Sequence, residues 1–248
     1  MIINVARKEL KSMFASPMGW VILALMQAVL GSYFTLSFNQ YFEILAMRGS
    51  LPEQMGMTQF MCEGIFDTAS ILLLFMTPLI SMRLMSDEYR SQTMTFLTSA
   101  PITLKEIILG KYLALILYHS FLIAVMLVMI LMLSLWVELD YGLLLTNALG
   151  LLLLMSGIAA MGLFFSSQTQ YAVIAGFLTF LSASSFVLIE KFYADNTQNF
   201  ISHFSMMSHY RNFAHGLMHS FDVVFFMLFA TFFVLMTIHR LHIQRVNG

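Results

Sequence analysis

Charged residues are so sparse along this chain that they punctuate it by themselves. A bilayer core of about 30 Å is crossed by about 20 helical residues, and each uncharged run is weighed against that length. The first, Ser12 to Phe42, holds one span at residues 18–38, preceded by Arg7, Lys8 and Lys11. A basic start before an apolar run also describes a signal peptide. This run is too long and lacks an Ala-x-Ala cleavage site, so it reads as a retained span. The second run lies between Asp67 and Arg83 and has 15 residues, about 22 Å as a helix. A span at residues 64–84 therefore needs Arg83 to snorkel to the headgroups or Asp67 to sit in the outer half of the membrane.

A third span occupies residues 111–136 and ends before Glu138 and Asp140. From Tyr141 to Ile189 there is no charge for 49 residues. At about 1.5 Å per residue that is more than twice the membrane thickness, so the run folds back once. The polar cluster Ser166-Ser167-Gln168-Thr169-Gln170 is the turn, giving spans at residues 142–166 and 171–189. A sixth covers residues 221–240. The fold class is an all-α membrane protein with six transmembrane helices and no soluble domain, because no loop is long enough to bury a core of its own.

Lysine and arginine placement sets the orientation. With both termini in the cytoplasm, the inner side holds Arg7, Lys8, Lys11, Arg83, Arg90, Lys105, Lys111, Arg240 and Arg245, and the outer side Arg48, Lys191 and Arg211. The location this implies is the bacterial cytoplasmic (inner) membrane.

Composition agrees with that class. Hydrophobic residues are 59% and charged residues 10% of the 248, with a mean hydropathy of +0.82; a soluble domain carries about 25% charged residues. The net charge of −1 offers no field for a polyanion, which argues against a nucleic-acid partner. A single cysteine, Cys62, removes internal disulfides and Cys-paired zinc motifs. The 22 methionines and 24 phenylalanines suit lipid-facing and helix–helix surfaces; a methionine-lined metal path is the sharper reading of the same residues.

No catalytic motif is present. Gly110-Lys111 is the only Gly-Lys pair, and Lys105 stands where a P-loop needs its first glycine. There is no His-Glu-x-x-His helix and no Gly-x-Ser-x-Gly elbow. The chain is therefore expected not to be an enzyme, and an energy source must be another chain or an ion gradient.

The inner loop between spans two and three is the most informative segment. Asp87, Glu88 and Arg90 form a mixed-charge helical patch, with Met94 and Leu97 as its apolar residues. Pro101 stops that helix, and Thr103 with Glu106 three residues on completes a capping box for the next. Two helices then meet at a sharp elbow. By its residues alone the loop reads first as a solvated inner face, because charge runs usually face water.

Asp87-Glu88, Arg90, Thr93, Leu97, Pro101 and Gly110-Lys111 together resemble the coupling-helix region of type-2 ABC exporter permeases. That pattern is Glu-Glu-x-Arg-x-Gly-Thr-x-Glu-x-Leu-Leu, a Ser-Pro turn, then Gly-Lys at the entry to span three. Gln92 replaces the usual glycine and Thr95 the usual glutamate. Arg7-Lys8-Glu9-Leu10 and Phe14-Ala15-Ser16-Pro17 resemble the family's amphipathic connecting helix, here residues 1–17. His203-Phe204, Phe213, Gly216 and Asp222-Val223-Val224 resemble a branch containing gliding-motility permeases and the copper-centre maturation permease of nitrous oxide reductase.

The resemblance implies a permease subunit that forms the substrate pathway of an ATP-driven exporter. It would be a homodimer or pair with a similar permease, docked onto cytoplasmic ABC ATPase subunits that hold ATP and magnesium; this chain itself binds no cofactor. A coupling-helix region at residues 86–100 would dock, with Asp87, Glu88, Arg90 and Thr93 as polar contacts and Met94 and Leu97 filling an apolar cleft. Residues 200–218 would be re-entrant helices capping the pathway, where irregular backbone is tolerable because it is buried in protein. Membrane lipid is a further partner, and an outer-side accessory subunit a candidate one.

Other residues carry two readings each. His203, His209, His215 and His219 crowd the outer segment, as metal ligands or as interfacial amphipathic residues. His119, about 12 Å into span three from Lys111, is a pathway or relay group or a neutral histidine bonded to a hydroxyl on another helix. Glu63 and Asp67, one turn apart, form a cation-attracting mouth or mark the water boundary. Against the exporter stand an ion-coupled carrier using His119 and Asp67, and a non-transporting assembly scaffold.

Overall fold

The computed structural model describes residues 1–48, 57–92, 103–135, 138–193 and 205–247. Among them every regular element is helical. Helix α1 (Ile2–Ala15) buries Ala6 and exposes Arg7, Lys8 and Lys11, so it is amphipathic as its charge pattern predicts. It stops at Ser16, whose extended backbone (φ −79°, ψ 133°) is the conformation a following proline imposes. Pro17 then opens α2 (Pro17–Arg48) at the first-turn position where its missing N–H costs nothing.

Helix α3 (Met57–Ser81) continues into α4 (Arg83–Arg90), because the one residue between them, Met82, keeps helical angles of −59° and −29°. The start of the expected docking region is thus a continuation of span two rather than a separate element. Its expected elbow at Pro101 lies outside the described residues. Helix α5 (Leu104–Leu131) opens with the predicted capping box: Thr103 Oγ1 accepts the Glu106 N–H at 3.3 Å, and Glu106 Oε2 accepts the Thr103 N–H at 3.0 Å. A 3-10 turn, Met132–Leu135, follows.

Asp140 caps α6 (Tyr141–Ser166), its Oδ1 accepting from the amides of Gly142 and Leu143 at 2.9 and 3.1 Å. The chain breaks where the polar cluster predicts and resumes as α7 (Ala172–Tyr193). Short α8 (Met206–Ala214) is capped by Ser205, and α9 (Ser220–Asn247) closes the fold. Among the described residues, five helices are long and apolar enough to cross a membrane: Pro17–Ile44, Thr58–Arg90, Leu104–Leu135, Tyr141–Ser166 and Ser220–Ile243. The fifth expected span, residues 171–189, meets a shorter apolar helix, Ala172–Leu188, about 26 Å long.

Helix α6 is the hub, packed against α3, α5, α7, α8 and α9. Small residues make this possible, since without a hydrophobic force between helices in lipid, close backbone approach supplies the attraction. At Gly150 the space of a Cβ is already filled by the Phe213 side chain of α8. Ala159 and Ala160 are fully buried further on.

Helix α8 lies along α6 at depth. Its last carbonyl, Ala214, accepts from Asn147 Nδ2 at 3.2 Å, while Met206 at its start reaches Gly157. Gly157 is 16 residues beyond Tyr141, about 24 Å along a helix of about 39 Å.

Candidate functional site

The charges of the α4 end converge on one buried lysine. Gly110 comes first: a Cβ there would sit 2.6 Å from the Val5 Cβ, so only glycine lets α1 lie directly on α5. The next residue, Lys111, is consequently covered, with 1% of its side chain exposed. Its Nζ donates to Glu9 Oε1 of α1 at 3.1 Å, to Glu88 Oε1 of α4 at 2.8 Å and to the Leu84 carbonyl at 2.8 Å. Three donors meet three acceptors on two other elements, which satisfies an ammonium that could not otherwise be buried.

The other end of α4 is anchored from α6. Met82, the residue before α4, offers no side-chain cap. Ser166 Oγ supplies one across the fold, accepting from the amides of Met85 and Ser86 at 3.1 Å each and donating to the Met82 carbonyl at 2.8 Å. Helix α4 is therefore clamped to α6 through Ser166 and to α1 and α5 through Lys111.

Of the expected docking residues, Asp87 and Arg90 are exposed on α4. Glu88 instead turns inward to Lys111, with 14% of its side chain exposed. Thr93, Met94 and Leu97 lie outside the described residues. Gln92, just past α4, has φ 56°, the left-handed region that glycine adopts freely and other L-residues enter at a cost. The position where the resemblance implies glycine is thus a position whose backbone favours it.

A cavity of about 300 Å³ opens between α1, α2, α3, α4 and α5 beside this joint. Lys8, Arg83 and Asp87 line its polar part, and Met18, Ile22 and Leu79 its apolar part.

His119 is buried in the centre of the bundle, 1% exposed. Its Nδ1 lies 2.7 Å from the Leu115 carbonyl and its Nε2 2.9 Å from Thr77 Oγ1. A carbonyl only accepts, so Nδ1 carries the proton; in the neutral ring Nε2 accepts from the threonine hydroxyl. Thr77 is ten residues from Asp67 on α3, about 15 Å along the helix, so a direct His119–Asp67 relay is not assembled.

At the α8 end, Glu63 is half-buried and Asp67 exposed. His215 Nδ1 lies 3.9 Å from Glu63 Oε1, and the positive charge of Arg211 acts on Asp67. His209 turns the other way. Its Nδ1 contacts Asp222 Oδ1 at 2.6 Å, its ring stacks on Phe225 at 4.1 Å, and Asn212 Nδ2 donates to Asp222 Oδ2 at 2.8 Å. Asp222 is 2% exposed, so the pair joins α8 to the first turn of α9. Tyr210 donates its hydroxyl to the Phe66 carbonyl at 3.2 Å. The histidines are thus divided between partners: His209 faces Asp222, His215 faces Glu63, and His219 is exposed. His203 lies outside the described residues. Among those described, no group of three or more His, Cys, Asp or Glu residues is placed to hold a metal ion.

Residues 3–239, nearly the whole chain, match the family described as ABC-2 family transporter protein. The chain belongs to the ABC-2 transporter family. Among curated proteins, none matches it. As an ABC-2 protein it is a membrane-spanning permease subunit of an ABC transporter, and the Gly110-Lys111 pair acquires a structural meaning: glycine for contact with α1, lysine to gather carboxylates from α1 and α4.

Three parts of this permease carry more than the sequence suggests. Glu9 reads there only as part of an amphipathic helix, Ser166 only as part of a turn, and Asn212 not at all. For Glu9 no signal is available, since one carboxylate among Arg7, Lys8 and Lys11 on an amphipathic helix reads as a surface charge.

Proposed function

We propose that this chain is the pathway-forming subunit of an ATP-driven exporter, and that α4 with the segment following it docks a separate cytoplasmic ABC ATPase. The observation that carries this reading is the Lys111 joint. A push on α4 reaches α1 through Glu88, Lys111 and Glu9, and reaches α5 through the lysine backbone itself, so one docking contact moves three elements together. Bistable packed elements transmit displacement in this way, whereas a solvated loop would absorb it.

In this reading Asp87 and Arg90 make the polar docking contacts, with Thr93, Met94 and Leu97 beside them. Glu88 belongs to transmission. Both termini are cytoplasmic, and two permease copies, or this one and a similar chain, enclose the pathway. Glu63 and Asp67 stand at its outer mouth, and α8, lying deep along α6, caps it as a re-entrant helix. ATP and magnesium are bound by the partner ATPase.

Co-purification of the tagged chain in mild detergent tests the proposal, with partners identified by mass spectrometry. Wild type is expected to retain a P-loop ATPase that Asp87→Lys/Arg90→Glu loses while keeping its own fold. Wild type that brings down no ATPase while its permease pairing survives overturns the reading.

A further inference from the structure

The cavity beside the Lys111 joint is sorted by polarity where α3 passes into α4. Leu79 on α3 lies one turn before Arg83 at the start of α4, and Met18 and Ile22 on α2 add to the apolar wall. One turn is about 6 Å, with the charged residues on the α4 side and the apolar ones on α2 and α3. The cavity therefore passes from charged to apolar over the distance that separates a lipid headgroup from its first methylenes.

Its charges are also balanced. Lys8, Arg83 and Lys111 stand against Glu9, Asp87 and Glu88, three cations to three carboxylates. Lys111 is committed to Glu9 and Glu88, and Lys8, 73% exposed, is held only by a 3.7 Å contact to Glu9. This leaves Arg83, with Lys8 beside it at the exposed rim, as anion partners and Asp87 as a cation partner. An anionic headgroup would use only half of this set, whereas a phosphate with a primary ammonium a few atoms away uses both signs.

Beyond Leu79 the exposed apolar residues of α3 go on toward its middle, with Phe75 stacked on Phe180 of α7. Leu79, Phe75 and Ile71 recur every fourth residue on α3 and are 42%, 53% and 56% exposed. They extend the apolar wall by about 12 Å, against about 15 Å for one leaflet of a 30 Å core. The volume of about 300 Å³ sits at the small end of ligand pockets and suits a headgroup with the start of its chains rather than a whole lipid.

We propose that this cavity is a binding site for a phospholipid with a zwitterionic, primary-amine headgroup, phosphatidylethanolamine in type, in the leaflet on the α4 side. The phosphate lies between Arg83 and Lys8, the ammonium donates to Asp87, and one acyl chain follows Leu79, Phe75 and Ile71. Asp87 is also a docking contact in the proposed function, so the lipid is tested on the chain without its ATPase, which keeps the outcome separate from that of the transport proposal.

The test is native mass spectrometry of the delipidated full chain offered equal amounts of phosphatidylethanolamine, phosphatidylcholine and phosphatidylglycerol. Phosphatidylcholine carries the same charges but no N–H to donate, so losing the charge-assisted bond to Asp87 is expected to lower its retention about tenfold. Asp87→Asn is expected to erase the discrimination between these two, and Ile22→Trp, which fills the apolar end, to lower retention of all three lipids. Arg83→Gln, at an exposed position, gives an independent variant if Ile22→Trp does not fold, and is expected to weaken phosphatidylethanolamine retention. Equal retention of the three lipids by wild type, or a preference that survives both Asp87→Asn and Arg83→Gln, overturns the site.

Discussion

Lys111 Nζ and Glu88 Oε1 meet at 2.8 Å with the lysine sealed from solvent. A buried ion pair of this kind adds little net stability over an apolar substitute of the same shape, but losing one partner leaves an uncompensated charge. Lys111→Met strands two carboxylates and is expected to destabilise the folded chain by about 3–5 kcal/mol. Glu9→Gln/Lys111→Met/Glu88→Gln, which removes all the charges, is expected to recover much of that loss. Thermal melting in detergent checks both, and equal melting temperatures for the two variants would contradict the joint.

The glycine beside that lysine makes a second prediction. Gly110→Ala places a methyl against Val5 and is expected to loosen α1 from α5, at a cost of about 1–3 kcal/mol. Val5→Ala is expected to relieve part of that cost, so the double-mutant cycle should show coupling of at least about 0.5 kcal/mol. Strict additivity would mean the two helices do not meet at this point.

Gln92 is expected to improve when replaced by glycine. Its φ of 56° costs an L-residue about 1–2 kcal/mol, and Gln92→Gly removes most of this at the expense of a more flexible unfolded chain. The net gain is expected near 1 kcal/mol, read as a higher melting temperature. Gln92→Val, with a branched Cβ, is expected to lower it.

Ser166→Ala removes the trans cap from α4 and leaves the Met85 and Ser86 amides without their shared acceptor. Caps of this kind contribute about 0.5–2 kcal/mol. Hydrogen exchange is expected to quicken at α4 amides while those in the middle of α6 stay protected. Unchanged exchange in α4 would show that Ser166 does not hold it.

These residues also mark where sequence reasoning works. The Thr103–Glu106 box and the break after Ser166 are legible because their causes are local, lying within one turn. That His119 would be a neutral ring bonded to a hydroxyl on another helix follows from the cost of a charge in an apolar interior. That the hydroxyl is Thr77 does not, because an all-apolar helix shows no preferred face. The partners of Lys111 are hidden for a related reason: Glu9 and Glu88 lie 102 and 23 residues away in sequence. Spacing says nothing about such distances; only the approach of α1 permitted by Gly110 brings them together. Glu88 reads as a solvated docking charge for the same reason, since its helix supplies the charge pattern and another helix decides its direction.

The central claim is that the Lys111 joint carries motion from a docked ATPase into the membrane bundle. The most direct measurement is a spin-label distance between Asn4→Cys on α1 and His219→Cys before α9, taken on the co-purified complex with and without ATP in wild-type and Lys111→Met backgrounds. An ATP-dependent change in wild type, lost in Lys111→Met although the ATPase is still retained, is the predicted result. The same change in both backgrounds would contradict the account, because α1 would then move without the lysine that ties it to α4.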